Sequence, residues 1–163
     1  YTVGDSAYGY KGLGDVFVFL FFGVVGVYGC YFLYSLEWDW EVLLPSFTIG
    51  FLSAGVLNLN NMRDRNSDER AGKKTLVVKM GAAKAKKYHY VLLLSAVFSI
   101  VMFSALTFTG LDDLLYFFAF IPLLGHLKRV MENENPEHLD PELKKLALST
   151  FLLAVLFGLG QVL

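Results

Sequence analysis

The chain has 163 residues, a formal net charge of −1 and an apolar content of 55%, counted without glycine. Soluble domains reach about 45–50% apolar residues only when glycine is counted, so the composition argues against a soluble helical bundle. A net charge this close to zero provides no field that would attract nucleic acid, and we expect no nucleic-acid partner.

Five uncharged stretches follow one another along the chain and predict membrane-spanning helices. Four of them have 18 to 21 residues each and cover 16–36, 42–59, 90–109 and 146–163. A helix needs about 20 apolar residues to cross a hydrocarbon core of about 30 Å. The remaining stretch, 114–127, has only 14 residues and contains Pro122 and His126. It is interpreted as a short or tilted span, or as a buried helix.

Small residues inside the first two spans predict close contacts between helices. Gly23, Gly26 and Gly29 recur in the first span, and Gly50, Ala54 and Gly55 recur in the second. Small side chains let helix backbones approach closely in lipid. The single cysteine, Cys30, is interpreted as a small buried apolar residue, because one thiol cannot form a disulfide or a thiolate metal site within one chain.

Basic residues predict the orientation of the chain. All 14 Lys and Arg residues precede the first span or follow the second and fourth spans, whereas the other two loops hold only acidic charges. Cytoplasmic loops carry the Lys/Arg excess. We therefore expect an integral membrane protein that starts inside, crosses five times and ends outside. The segment 60–89 is then a cytoplasmic loop.

The segment "NLNNMRDRNSDERAGKKTLVVKMG", residues 58–81, carries a repeat of oxygen-bearing side chains. Asn60, Asp64 and Asp68 are spaced by four, so on a helix continuing from the second span they share one face within about 80°. Gly72 is the expected end of that helix. Two carboxylates and an amide are hard oxygen donors that suit Mg²⁺, which commonly binds one or two carboxylates together with substrate phosphates.

Nearby cations extend this pattern to a diphosphate site. Arg63, Lys73 and Lys74 are close enough in sequence to neutralise a polyanion held by the metal. The alternative is a solvated loop, and we interpret the remaining lysines, Lys79, Lys84, Lys86 and Lys87, as orientation charges. The three histidines, His89, His126 and His138, are scattered without a second ligand at a useful spacing and are interpreted as non-catalytic.

Two segments resemble a known family. Residues 58–81 closely resemble the second Asp-rich motif of the UbiA-type intramembrane prenyltransferases. The elements "NNMRD", "AGKKTL" and "KMG" are most similar to the 1,4-dihydroxy-2-naphthoate polyprenyltransferases of menaquinone biosynthesis. Residues 8–23, "YGYKGLGDVFVFLFFG", resemble the segment that these enzymes carry before the preceding helix.

The resemblance implies a nine-helix all-α membrane fold around a central cavity, with an Asp-rich motif in each half. Only the second motif is found here, so 1–163 looks like the C-terminal part of one transmembrane prenyltransferase domain, whose missing N-terminal half would carry the first motif. The implied reaction moves a polyprenyl chain from an allylic diphosphate to dihydroxynaphthoate, with loss of the acceptor's carboxyl group, and gives demethylmenaquinone.

The resemblance also suggests roles for single residues. Asp64 and Asp68, with Asn60, would hold Mg²⁺ and act in catalysis, and Arg63, Lys73 and Lys74 would bind diphosphate. Lys11 is a candidate to pair with the acceptor's carboxylate or with diphosphate, although it also fits an orientation charge. Tyr8 and Tyr10 would lie beside the aromatic acceptor.

Three alternatives stay open at this point. The acceptor could instead be 4-hydroxybenzoate or homogentisate. A small transporter or channel subunit would need polar groups at mid-membrane depth. A non-catalytic assembly partner could bind lipid through its basic loop.

Overall fold

A computed structural model describes residues 12–163, and every regular element in that range is a helix. Five long helices are α1 (Gly14–Ser35), α2 (Trp40–Arg63), α5 (Ala82–Thr107), α6 (Leu111–Glu132) and α7 (Pro136–Gly160). Two short helices between them are α3 (Arg65–Arg70) and α4 (Leu76–Met80). The five long helices have the length and apolar composition to cross a membrane. The predicted all-α fold with five spans is confirmed.

Helix α2 is the most buried of the five spans, and α1 is the least buried. Helix α2 packs against α1, α5 and α7. The main apolar core forms where Leu52 of α2 meets Leu93 of α5 and Leu146 of α7, each at most 1% exposed. Thr48 adds a polar tie, because its hydroxyl donates to the Ala96 carbonyl of α5 at 3.2 Å. The position of α2 is therefore fixed by three neighbouring helices.

Glycines allow α1 and α2 to touch through their backbones. A Cβ placed on Gly23 would lie 2.6 Å from the Ser46 carbonyl oxygen and 2.7 Å from the Gly50 Cα. A Cβ on Gly50 would meet the Phe19 ring at 2.7 Å. The predicted small-residue packing therefore holds at this crossing. It does not hold at Gly29, where the nearest atom is Val25 of the same helix at 3.9 Å.

The short uncharged stretch 114–127 lies within α6, which is long and apolar enough to span a membrane. Its first part, Leu111–Ala119, is a 3₁₀ helix, and the α-helical part is Phe120–Glu132. With a rise of about 2.0 Å per residue in the first part and about 1.5 Å in the second, the element spans roughly 37 Å. Pro122, which has no backbone N–H to donate, lies in the first turn of the α-helical part, next to the change of helix type.

One end of the bundle, here called the basic end, is where α2 ends, α5 begins, α6 ends and α7 begins. A second apolar cluster at this end packs Leu59 and Met62 of α2 against Val77 of α4 and Val130 of α6. The Lys86 ammonium of α5 donates to the backbone carbonyl of Met131 in the last turn of α6 and to that of Asn133 just beyond it. The two basic loops therefore lie side by side.

The interpretation of Cys30 as a buried residue is wrong, because its side chain is exposed on the bundle. It lies in α1, the helix with the least buried surface. An apolar residue in a membrane span gains as much from lipid as from a protein core, so apolar character alone could not place this thiol inside.

We expect alanine substitutions to separate the packed glycine from the open one. Gly23→Ala should lower the melting temperature in detergent, because overpacking at a tight contact costs about 1–3 kcal/mol. Gly29→Ala is the matched control in the same helix, and it should be neutral or stabilising by up to about 1 kcal/mol, because alanine favours helix. Equal melting temperatures for the two variants would contradict the close crossing of α1 and α2.

Candidate functional site at the basic end

The polar segment continues the helix of α2 with one local break. Asp64, with φ −90° and ψ 4°, separates α2 from α3. The backbone N–H of Asp64 still bonds to the Asn60 carbonyl at 3.0 Å, and that of Asp68 bonds to the Asp64 carbonyl at 2.9 Å. The four-residue register predicted from the sequence is therefore kept. Gly72 follows α3 with φ +72°, as expected for a residue that ends a helix.

Arg63 joins the first two residues of the repeat. Its guanidinium donates to both carboxylate oxygens of Asp64, at 2.8 and 2.9 Å, and to the Asn60 amide oxygen at 2.9 Å. A further bond of 2.6 Å reaches the carboxylate of Asp140 at the start of α7. The planar guanidinium fork suits such multiple contacts. One cation therefore holds three oxygen-bearing side chains from two helices.

The Arg63 contact changes the acidity of Asp64. The hydrogen bond from Arg63 lowers the pKa of the Asp64 carboxyl below its usual value; burial opposes this effect, and the charges of Arg63 and Lys73 reinforce it. An acid with a lowered folded-state pKa contributes stability above its unfolded pKa, near 3.9. That contribution disappears as the pH falls through the folded-state value. Asp64 is therefore a carboxylate, and hence a competent cation ligand, throughout the neutral range.

The third residue of the repeat has its own partner. The Asp68 carboxylate accepts two bonds from the Lys73 ammonium, at 3.1 and 3.2 Å. Its side chain is 12% exposed and that of Lys73 is 21% exposed, so the pair is shielded from water. Asp68 is therefore aligned with Asn60 and Asp64 along the backbone but is neutralised separately. Lys74 is exposed, and no side-chain bond is found for it among residues 12–163.

The oxygen atoms of the repeat suit a magnesium ion that also binds a phosphate group. Within the described part of the chain, no three His, Cys, Asp or Glu side chains are arranged to hold a metal ion. Mg²⁺ that shares a phosphate ligand needs only one or two carboxylates, with the remaining ligands being phosphate oxygens and water. Asp64 and Asp68, with the Asn60 amide oxygen, therefore fit a metal that is held jointly with a diphosphate.

An apolar groove lies on the same face of α2. A cavity of about 390 Å³ is lined by Val18 and Phe22 of α1, by Ser53, Val56 and Leu57 of α2, and by Ala147 and Thr150 of α7. At 100° per residue, Ser53, Leu57, Asn60 and Asp64 fall within about 60° of one another around the helix. The groove and the polar cluster are therefore successive parts of one helix face.

Three predicted site residues, Tyr8, Tyr10 and Lys11, lie outside the described residues. The nearest described acid is Asp15 in α1, which the sequence analysis did not select. It is 4% exposed, interacts with the Tyr88 hydroxyl, and has one carboxylate oxygen without a partner among the described residues. Its position inside the segment 8–23 was the signal that could have singled it out.

The sequence analysis also missed a buried polar chain between four helices. His89 and His126 are fully buried, and their Nε2 atoms lie 3.0 Å apart. His126 Nδ1 contacts the Glu142 carboxylate at 2.8 Å, and His89 Nδ1 lies 3.4 Å from the Asn58 amide nitrogen. These histidines are 37 residues apart, so sequence spacing gave no sign that they meet.

These features define a polytopic helical membrane protein with a carboxylate and guanidinium cluster at one end of an apolar groove. The model of the UbiA prenyltransferase family matches residues 1–155, and the chain belongs to that family. The expected family is therefore confirmed.

Several curated relatives share the name 1,4-dihydroxy-2-naphthoate octaprenyltransferase. The relative from Haemophilus influenzae is 39% identical over 98% of this chain and 52% of its own length. The relative from Escherichia coli is 37% identical, with the same coverage of both chains. The Mycobacterium tuberculosis relative is 41% identical over 64% of this chain and 36% of its own. The chain thus spans about half the length of the first two relatives. No solved structure matches the chain.

The lowered pKa of Asp64 depends on Arg63, and this dependence can be measured. In Arg63→Gln we expect the pKa of Asp64 to rise towards its ordinary value of about 3.9, because the charged hydrogen-bond donor is lost. The titration can be followed by ¹³C NMR of the aspartate carboxyl carbons. Arg65→Gln is the matched control, since within residues 12–163 the Arg65 side chain bonds only to Asn66. If the pKa of Asp64 is the same in Arg63→Gln as in the wild type, the contact between Arg63 and Asp64 would be contradicted.

Proposed function

We propose that this chain contributes the second Asp-rich site of a Mg²⁺-dependent enzyme that transfers a polyprenyl chain to 1,4-dihydroxy-2-naphthoate. The observation that carries the proposal is the continuity along α2 between the polar cluster at Asn60 and Asp64 and the apolar groove at Ser53 and Leu57. An allylic polyprenyl diphosphate has the same division into an anionic head and an apolar tail. The names of the relatives support the acceptor.

The cations of the site have a role in loss of diphosphate. In the proposed reaction the allylic C–O bond breaks, and its electron pair leaves with the diphosphate. Arg63 and Lys73 now neutralise Asp64 and Asp68, and a metal at these carboxylates would release both cations to meet the leaving oxygens. Bound Mg²⁺ would supply Lewis-acid stabilisation of those oxygens. Exposed Lys74 would add a third positive charge.

Transfer of the prenyl group to the acceptor needs no general base. The allylic cation bonds to the ring carbon that carries the carboxylate, and the bond from that carbon to the carboxylate then breaks. Its electron pair restores the aromatic ring, and carbon dioxide leaves, giving the demethylmenaquinone skeleton in its reduced form. We propose that Lys11, Tyr8 and Tyr10 face the acceptor. They belong to the same sequence segment, 8–23, as Val18 and Phe22 of α1, which line the groove, and this supports the role.

We further propose that the basic end faces the cytoplasm across a bacterial inner membrane. All 14 basic residues follow the positive-inside pattern for five crossings. Because the described residues provide two carboxylates of the repeat and no three-membered acidic metal cluster, we propose that a first Asp-rich motif outside these 163 residues completes the diphosphate site.

Removing either carboxylate tests the site. We expect Asp64→Asn and Asp68→Asn each to lower Mg²⁺-dependent prenyl transfer at least ~100-fold, since metal stabilisation of the leaving group is worth several kcal/mol. Glu69→Gln is the matched control, because it removes an exposed acid of the same short helix. Transfer is measured for the complete enzyme, with the first Asp-rich motif included, in membranes with a radiolabelled polyprenyl diphosphate, beside a check of membrane insertion. Unchanged turnover in the Asp variants would count against the proposal.

The acceptor is tested by competition. With one polyprenyl diphosphate and equal concentrations of three acceptors, we expect prenylated product from dihydroxynaphthoate and almost none from 4-hydroxybenzoate or homogentisate. Release of ¹⁴CO₂ from carboxyl-labelled dihydroxynaphthoate should match product formation one to one. Preferred prenylation of either other acceptor would keep the reaction class and overturn the naphthoate assignment.

A further inference from the structure

A buried polar chain connects the four helices that meet at the basic end. Asn58 of α2 contacts His89 of α5, His89 contacts His126 of α6, and His126 contacts Glu142 of α7. Asn58, His89 and His126 are fully buried, and Glu142 is 4% exposed. At its outer end Glu142 accepts bonds from Arg129 at 2.7 Å and from Lys145 at 2.5 Å. Each helix contributes at least one member.

The contacts at the two ends of the buried polar chain independently determine which of its nitrogen atoms carry protons. At the inner end the Asn58 amide nitrogen is 3.3 Å from the Ala85 carbonyl oxygen, which can only accept, so this atom must be the NH₂ group. The same NH₂ group lies 3.4 Å from the Met62 sulfur and 3.4 Å from His89 Nδ1. Because it can only donate, a bond to His89 requires that Nδ1 is bare. At the outer end the Glu142 carboxylate, bonded by two cations, can only accept from His126 Nδ1, which must carry a proton.

The contact between the rings completes the order. With a bare Nδ1, His89 carries its proton on Nε2 and donates it to Nε2 of His126 at 3.0 Å. With a protonated Nδ1, neutral His126 has a bare Nε2 that accepts this bond. The inferences from the inner and outer ends therefore agree. Every bond points from Asn58 towards Glu142, and the two histidines are opposite tautomers.

The buried polar chain contacts α2, through Asn58, on the side of the helix away from the proposed site. Asn58 lies about 130° around the helix from the face shared by Ser53, Leu57, Asn60 and Asp64. Rotation of α2 would break the contact of Asn58 with His89 and would turn Asn60 and Asp64 away from the groove. The buried polar chain ends in an amide, which does not ionise near neutral pH, so it is suited to holding a helix and unsuited to conducting protons.

We propose that Asn58, His89, His126 and Glu142 form a proton-ordered positioning network that sets the rotation of α2 and so directs Asn60 and Asp64 towards the metal–diphosphate ligand. None of the four is assigned contact with substrate. The positioning role rests on the function proposed above, whereas the tautomer order rests on the contacts alone.

The tautomer order is tested without an activity assay. Protein with ¹⁵N-labelled histidine, carrying His138→Gln to remove the exposed third ring, is studied by NMR in lipid bilayers. Protonated and bare ring nitrogens differ widely in ¹⁵N shift. We expect one ring protonated at Nε2 and the other at Nδ1. Two rings of the same tautomer, or one doubly protonated ring, would overturn the proposed order.

The positioning role is tested by a double-mutant cycle. Asn58→Leu and His126→Phe should each raise the Mg²⁺ concentration for half-maximal prenyl transfer by about tenfold, and the double variant should do no worse than the larger single effect. His138→Phe is the matched control and should leave it unchanged. A network that only supports folding would lower the maximal rate at an unchanged Mg²⁺ midpoint.

Each other outcome has a distinct meaning. Additive effects, near 100-fold in the double variant, would show that the residues do not act as one unit. A complete wild-type enzyme, with the first Asp-rich motif included, that shows no Mg²⁺-dependent transfer would overturn the proposed function and, with it, the positioning role. The ¹⁵N spectra would still decide the tautomer order in that case, so the two failures can be told apart.

Discussion

The contacts of the Arg63 guanidinium are the interaction on which the basic end depends. Asp64 and Asp140 come from different helices, and without a cation between them their carboxylates would repel. Both Arg63 and Asp64 are about a third exposed, at 29% and 34%, so solvent screens the pair and it stabilises the fold by about 1 kcal/mol at most. Its main effect is geometric, because it ties the end of α2 to the start of α7.

Helix α2 is constrained on every side by a different kind of contact. Backbone packing at Gly50 fixes the distance of α2 from α1. The main apolar core holds α2 against α5 and α7, and the contact of Asn58 with His89 fixes the rotation of the helix. Breaking one hydrogen bond in the buried polar chain would leave a buried polar group without a partner, at a cost of about 1–3 kcal/mol. Among the described residues at the basic end, Asn60 and Asp64 are half-buried, whereas Asn58, Leu59, Asn61 and Met62 are buried.

The sequence predicted those parts of the molecule that depend on local composition. The five spans, the helical register of Asn60, Asp64 and Asp68, and the turn at Gly72 all follow from uncharged length, spacing and glycine conformation. The His89–His126 contact and the bond from Arg63 to Asp140 depend on which helices pack together. Each of those pairs is separated by 37 or more residues, and helices of uniform apolarity show no preferred face from which packing could be deduced.

The distribution of polar groups favours a site at one mouth over a transport path. In the interior of the spans, hydroxyl groups such as those of Ser99, Ser149 and Thr150 donate to carbonyls one turn earlier in their own helices. Within the described residues, the ion pairs and the histidine contact between spans lie at the basic end, and at the opposite end the Gln161 amide donates to the Asp113 carboxylate at 3.2 Å. A transport path needs solvated polar groups across the whole membrane depth. Chemistry at a lipid headgroup needs them only where the tail meets the head, which is where Asn60 and Asp64 follow the apolar groove.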